Sequence, residues 1–132
     1  IRRWNKLYDV LFKGLSKIDG IVIPVRADKE FFVGSSIQFR IRCIKEKKIP
    51  HFVEACLSRG VELKWFGDAE PKAFTSRYDS WSYIKNLPVL SKTLSILGTT
   101  LDMRIPLTFN SKDCSIIIDV IRSEIKNLQT IA

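Results

Sequence analysis

Apolar residues recur at steps of three and four from the start of the chain: Trp4, Leu7, Tyr8, Leu11, Leu15 and Ile18. That spacing draws one stripe down an amphipathic helix. Asp19-Gly20 ends it. Ile21-Val22-Ile23 reads as a short strand, and Pro24 keeps that strand near an edge because proline cannot donate to a ladder. Residues 26–30 form a polar turn. Three later segments alternate strictly. Ile37, Phe39 and Ile41 face one way against Gln38, Arg40 and Arg42; Val61, Leu63 and Trp65 oppose Glu62 and Lys64; Leu101, Met103 and Ile105 oppose Asp102 and Arg104. A period of two with one polar face predicts a sheet covered on one side only. It argues against a doubly wound parallel sheet, whose strands read as unbroken apolar runs.

Helices to cover the apolar face follow from the same pattern. Ile49, Phe52, Val53, Cys56 and Leu57 keep a helical step, with Pro50 in the first turn and Gly60 as the stop. Leu90, Thr93, Leu94 and Leu97 form a second stripe closed by Gly98. The last helix carries Cys114, Ile117, Ile118, Ile121, Ile125 and Leu128; Asn110 or Ser111 caps it, and Asp113 suits its positive end. This order predicts an α+β fold, a two-layer sandwich of three or four mostly antiparallel strands with helices on one face, preceded by a connecting helix. Residues 1–132 form a single domain, with 1–19 as a linker helix and 20–132 as the compact unit. The first helix lies outside the sheet-and-helix unit, and its stripe suits packing against something larger.

The length of 132 residues is enough for one real core. At 45% hydrophobic and 27% charged, the composition is that of a folded domain rather than a disordered one. No apolar run is long enough to span a membrane. Ile1-Arg2-Arg3-Trp4 opens directly into the helical pattern without a signal peptide, and without Met, so the natural gene is expected to begin upstream. Cys43, Cys56 and Cys114 are an odd, scattered set in apolar surroundings. They read as reduced thiols of a cytoplasmic protein, not as a disulfide framework or a zinc site.

Charge narrows the partner class less than its size suggests. Lys+Arg number 22 against 14 Asp+Glu, a net +8, which raises the odds of a polyanionic partner. The basic residues are spread along the chain, however, and Lys45, Lys47 and Lys48 read as a solvated turn. Arg40, Arg42, Lys64 and Arg104 form a patch on the polar sheet face, but Glu62 and Asp102 lie among them and no aromatic residue stands there to stack bases. A solvated or domain-facing surface is the better reading, and nucleic acid is not the expected partner. His51, the single histidine, reads as a surface residue, so a hydrolytic triad finds no base. The isolated glycines make no phosphate loop. Asp68 and Glu70 read as solvated, and no metal-ligand set is found.

Residues 67–86 resist assignment. Phe74-Thr75-Ser76-Arg77-Tyr78-Asp79-Ser80-Trp81-Ser82-Tyr83 has no period and is rich in aromatic and hydroxyl side chains. Long loops inside compact domains are often functional. Arg77 with Tyr78 and Trp81 suits a phosphate or carboxylate stacked beside a ring, which makes these three the candidate substrate-contacting residues. Equally, Tyr78, Trp81 and Tyr83 could simply anchor the loop.

The order of motifs resembles the C-terminal small domain of the DegT/DnrJ/StrS-type sugar aminotransferases, pyridoxal-phosphate enzymes of fold type I. The resemblance is carried by Ser58-Arg59-Gly60-Val61-Glu62-Leu63-Lys64-Trp65-Phe66-Gly67, Glu70-Pro71, Phe74 through Trp81, Leu87-Pro88, and Leu101-Asp102-Met103-Arg104-Ile105-Pro106-Leu107-Thr108-Phe109 with Asp113-Cys114. It covers nearly the whole chain. Two places depart from it. Lys64-Trp65-Phe66-Gly67 stands where many members carry a His-Tyr-Pro run, and Lys92 is near the place of a glutamate after the proline of the penultimate helix. Those departures fit a divergent subgroup.

The resemblance implies that pyridoxal phosphate belongs to a longer enzyme and that this chain supplies neither catalytic nor cofactor-binding residues. The Schiff-base lysine, the aspartate that pairs the pyridine nitrogen and most phosphate-binding residues of such enzymes lie in a large domain absent from these residues. The implied whole moves an amino group from glutamate to a keto group on a nucleotide-linked sugar. This domain would help close its active site and support a homodimer, and would be inactive alone. The alternative from another class is a standalone α+β binding or dimerisation module for a protein or an anionic ligand. In that reading the open polar sheet face binds a partner protein, itself or an anionic ligand, and exposed apolar residues of the first helix make a dimer interface.

Overall fold

The computed structural model describes residues 1–70, 72 and 85–130. Helix α1 spans Arg2–Leu15, strand β1 Ile21–Val22, β2 Ser36–Ile41, helix α2 Ile49–Ser58 after a 3-10 turn at Glu46–Lys48, β3 Lys64–Trp65, α3 Ser91–Leu97, β4 Thr100–Arg104 and α4 Ser111–Thr130. The strands form one antiparallel sheet in the order β1-β2-β4-β3. This is the α+β architecture read from the alternation. β1 lies at one edge, as Pro24 requires.

The inward residues of the sheet are those of the period-two pattern. Ile37, Phe39, Ile41 and Leu101 have no accessible surface, and Met103 and Ile105 almost none. Against them pack Leu11 and Leu15 of α1, Ile49, Phe52 and Cys56 of α2, and Cys114, Ile121 and Ile125 of α4. Burying a set of this size is the main drive to fold.

Helix α1 differs from expectation. Its stripe is not left over for a larger partner: α1 packs on α4 and β2, with Leu7, Tyr8, Leu11 and Leu15 all buried. The two helices approach closely at Gly14, where a Cβ would fall 2.1 Å from Ile118 Cδ1. Polar contacts pin the helix as well. The Trp4 indole donates to the Ile105 carbonyl at 2.8 Å. Asn5 donates to the Phe32 carbonyl at 3.0 Å and accepts from the Gly34 N–H at 2.8 Å, so one side chain ties down the loop between β1 and β2. The helix stops at Leu15, and Ile18 is buried from the following turn.

The third alternating segment forms less strand than its pattern predicts. Gly60 takes φ +83°, and the N–H groups of Gly60 and Val61 return to the Leu57 and Cys56 carbonyls at the end of α2. This is a Schellman stop, which commits the Val61 N–H to the helix. Val61 and Leu63 are buried, yet pairing with β4 begins only at Lys64. Leu57 lies 57% exposed rather than on the buried side of α2. The stripe of α3 is half-buried at best, with none of the helix residues buried. Before α4, Asn110 is the cap: its Oδ1 accepts from the Lys112 and Asp113 N–H groups, and Asp113 returns a carboxylate to the Asn110 N–H at 2.8 Å.

Candidate functional site on the open sheet face

Three helices cover one face of the sheet, so any site built on the strands must use the other. Its residues are set by register. Gln38 and Lys64 flank Asp102 on the two neighbouring strands, and Ser36 stands opposite Arg104. Arg40 pairs with Thr100 on one side and Val22 on the other, and its Nε donates to the Thr99 hydroxyl at 3.0 Å. Among the described strand residues of this face there is no aromatic ring, as the sequence pattern implied.

Asp102 is the exception to a polar, solvated surface. Alternation puts it with Arg104 on the wet face, but it has no accessible surface at all. It sits at the centre of the ladder, between longer side chains on both adjacent strands. Neither carboxylate oxygen has a hydrogen-bond partner among the described residues. Burial pushes its carboxyl above the usual carboxylate range. The polar side chains of Ser36 and Gln38 and the charges of Lys64 and Arg104 oppose that shift.

Beside Asp102 the sheet opens. Because β3 begins late, a cavity of about 190 Å³ lies between residues 60–62 and the end of β4. Asp102, Lys64, Arg104 and Glu62 supply its charged lining, and Val61, Pro106, Phe109 and Ile117 its apolar wall. Pattern reading missed this feature. An aspartate at a strand centre, with a longer side chain opposite on each side, was the signal available.

The candidate contacts Arg77, Tyr78 and Trp81 lie outside the described residues. The segment leading to them is described. Trp65 donates its indole N–H to the Gly98 carbonyl at 3.0 Å, joining β3 to the end of α3. Gly67 lies against the Trp65 ring, where a Cβ would stand 2.5 Å from the indole carbons. Asp68 is not simply solvated: Lys72 pairs with it at 2.9 Å, its other oxygen takes the Glu70 N–H, and these contacts hold its carboxyl below the usual range. His51 is exposed on α2. Among the described residues no helix is long and apolar enough to cross a membrane.

No protein-family model matches the sequence, and no curated protein matches it. Solved structures do match the fold. The aminotransferase TlmJ from Streptoalloteichus hindustanus superposes with a TM-score of 0.70 at 16% identity, over 97% of this chain and 32% of its own. The sugar aminotransferase CalS13 from Micromonospora echinospora gives 0.68 at 20% identity, over 93% of this chain and 30% of its own. The 3-amino-5-hydroxybenzoic acid synthase gives 0.74 at 16% identity, over 96% and 34%. The chain thus has the fold of part of these enzymes and spans about a third of their length.

Proposed function

We propose that the chain is the small C-terminal domain of a longer pyridoxal-phosphate-dependent aminotransferase of the DegT/DnrJ/StrS type. In this reading it helps close the active site and supports a homodimer in the cytoplasm. The supporting observation is its coverage: nearly all of this chain follows the fold of aminotransferases three times its length. The sequence motifs point the same way, from Ser58 through Gly67 and from Leu101 through Phe109. The chemistry is transfer of an amino group from glutamate to a keto sugar carried on a nucleotide.

The described residues do not fit the coenzyme itself. A lysine that carries pyridoxal phosphate must be desolvated beside the ring. Every described lysine is exposed or half-buried, and half-buried Lys48 donates to the Leu128 carbonyl at the end of α4. The coenzyme therefore belongs with the large domain, and this chain alone is inactive. Its own contribution is positional: it brings its sheet, and the segment with the candidate contacts Arg77, Tyr78 and Trp81, to the cleft.

In the alternative, a standalone binding module, the buried stripe of α1 does not supply the interface, and the open polar sheet face is what would bind a partner. The deciding experiment is purification of the longer protein with assays for bound pyridoxal phosphate and for amino transfer from glutamate to nucleotide-linked keto sugars. A longer protein that holds no coenzyme and transfers no amino group overturns the reading.

A further inference from the structure

We propose that the crevice between the turn at residues 43–48 and the end of α4 binds a small amphipathic anion, a phosphate monoester with a short apolar chain or ring. The crevice shares no lining residue with the cavity beside Asp102 and does not depend on the aminotransferase reading.

The fold makes this space by bringing together two segments far apart in sequence. Strand β2 ends at Ile41, and the chain turns from there into the 3-10 segment before α2, while α4 runs past that turn to Thr130. Between them lies a cavity of about 370 Å³. Small-molecule sites have volumes of about 300–1,000 Å³ and are mostly apolar, with a few placed polar groups. Here buried Ile44 and half-buried Cys43 and Leu128 give the apolar wall, and exposed Lys45 and Lys47 the rim. Lys48 donates to the Leu128 carbonyl at 3.0 Å and ties the turn to α4.

The rim is cationic because the acid within it faces elsewhere. Glu46 stands between the two lysines in sequence. Its carboxylate lies over Gly98, where a Cβ would come 2.5 Å from Oε2, and it lines a separate cavity with Phe66 and Leu94. Among the described residues no carboxylate lines the crevice, and neither Lys45 nor Lys47 forms an ion pair. Two ammonium groups on one turn repel each other, and a dianion between them reverses the sign of that interaction. Phosphate oxygens accept charge-assisted hydrogen bonds from lysine. Charge alone is worth little at an exposed rim. The wall therefore sets the ligand class, because each methylene moved onto it from water adds affinity. An inorganic anion leaves the wall wet, and a neutral hydrocarbon leaves the lysines unused.

The test uses the full-length protein and reads Cys43, the thiol in the crevice, by mass spectrometry after alkylation with neutral iodoacetamide. Hexyl phosphate should protect Cys43 at a concentration at least about tenfold lower than methyl phosphate, and hexanol should not protect it. Lys45→Ala/Lys47→Ala should abolish protection. Lys6→Ala/Lys13→Ala, which removes two exposed bases of α1, should retain it. These results are expected whether or not the protein transfers amino groups. If Lys45→Ala/Lys47→Ala does not fold, the ligand series on the unsubstituted protein decides. No protection by hexyl phosphate overturns the site, as does equal protection by methyl and hexyl phosphate. Protection that survives Lys45→Ala/Lys47→Ala, or is lost in Lys6→Ala/Lys13→Ala, overturns the role given to the two rim lysines. Capture by phosphatidic acid vesicles without protection by hexyl phosphate assigns the turn to a lipid surface and overturns the pocket.

Discussion

Arg59, just beyond the end of α2, donates to the Glu124 carboxylate of α4 at 2.6 Å, across 65 positions of sequence. Glu124 is 8% exposed, beside the buried Val120, Ile121 and Ile125 of the same helix. Asn127 adds a second donor at 3.2 Å. The pair joins the two helices that cover the β3 side of the core. Arg59 is 44% exposed, so solvent screens much of the attraction. Arg59→Ala should cost about 1 kcal/mol, most of it from leaving a covered carboxylate with one donor fewer.

The same pair sets an acid limb. Arg59 holds the Glu124 carboxyl below its ordinary value of 4.5. A carboxyl lowered on folding contributes stability above its unfolded value and loses it as pH falls through the folded one. Resistance of the unsubstituted chain to urea should therefore fall below pH 4.5, and Glu124→Gln should flatten that limb. An unchanged slope in Glu124→Gln would assign the limb to other carboxylates.

Asp102 acts with the opposite sign. Its folded value is raised above 3.8 by burial, so the protonated form is the better folded one. Its contribution is full below pH 3.8 and is lost as pH rises through the folded value. Asp102→Asn should gain about 1 kcal/mol in the isolated chain near neutral pH and nothing below pH 3.8. Denaturation midpoints at the two pH values check it.

Leu11 tests whether α1 is part of the domain or a dispensable linker. It has no accessible surface. Leu11→Ala should cost about 3 kcal/mol, as a cavity in a shared core does. Gly14→Ala should also destabilise, despite alanine's better helix propensity, because its Cβ meets Ile118. Ile118→Val removes the nearest atom and should recover part of that loss in the double variant.

The thiols should separate by reactivity. Burial pushes the Cys56 thiol up to about 12, so it is protonated and inert in the native state. Half-buried Cys43 should alkylate first, and Cys56 only on unfolding. Mass spectrometry of partly labelled protein reads the order directly.

Arg77 remains the candidate contact to test in the longer enzyme proposed above. Arg77→Ala should lower turnover by about tenfold or more with the melting temperature unchanged. An unaltered rate would return Arg77 to a structural role.

Much of the architecture was legible because it is periodic. Ile37, Phe39 and Ile41 alternate, and Cys114, Ile117, Ile121 and Ile125 step by three and four. Each pattern states which side must leave water without knowing what covers it. Asn110 with Asp113, and Gly60 after Leu57, likewise act through neighbours within a few residues.

What the linear chain determined by itself was the order of the elements, the buried sides of β2, β4 and α4, and a sheet with helices on one face. The tertiary structure alone decided three things: that α1 closes the core through Leu11 and Gly14, that β3 starts late enough to leave a cavity, and that Asp102 is sealed from water. The physical reason is distance along the chain. Gln38, Lys64 and Asp102 share no local pattern, and only antiparallel register sets them side by side. Alternation assigns a residue to a face; the neighbours gathered on that face determine whether it reaches solvent.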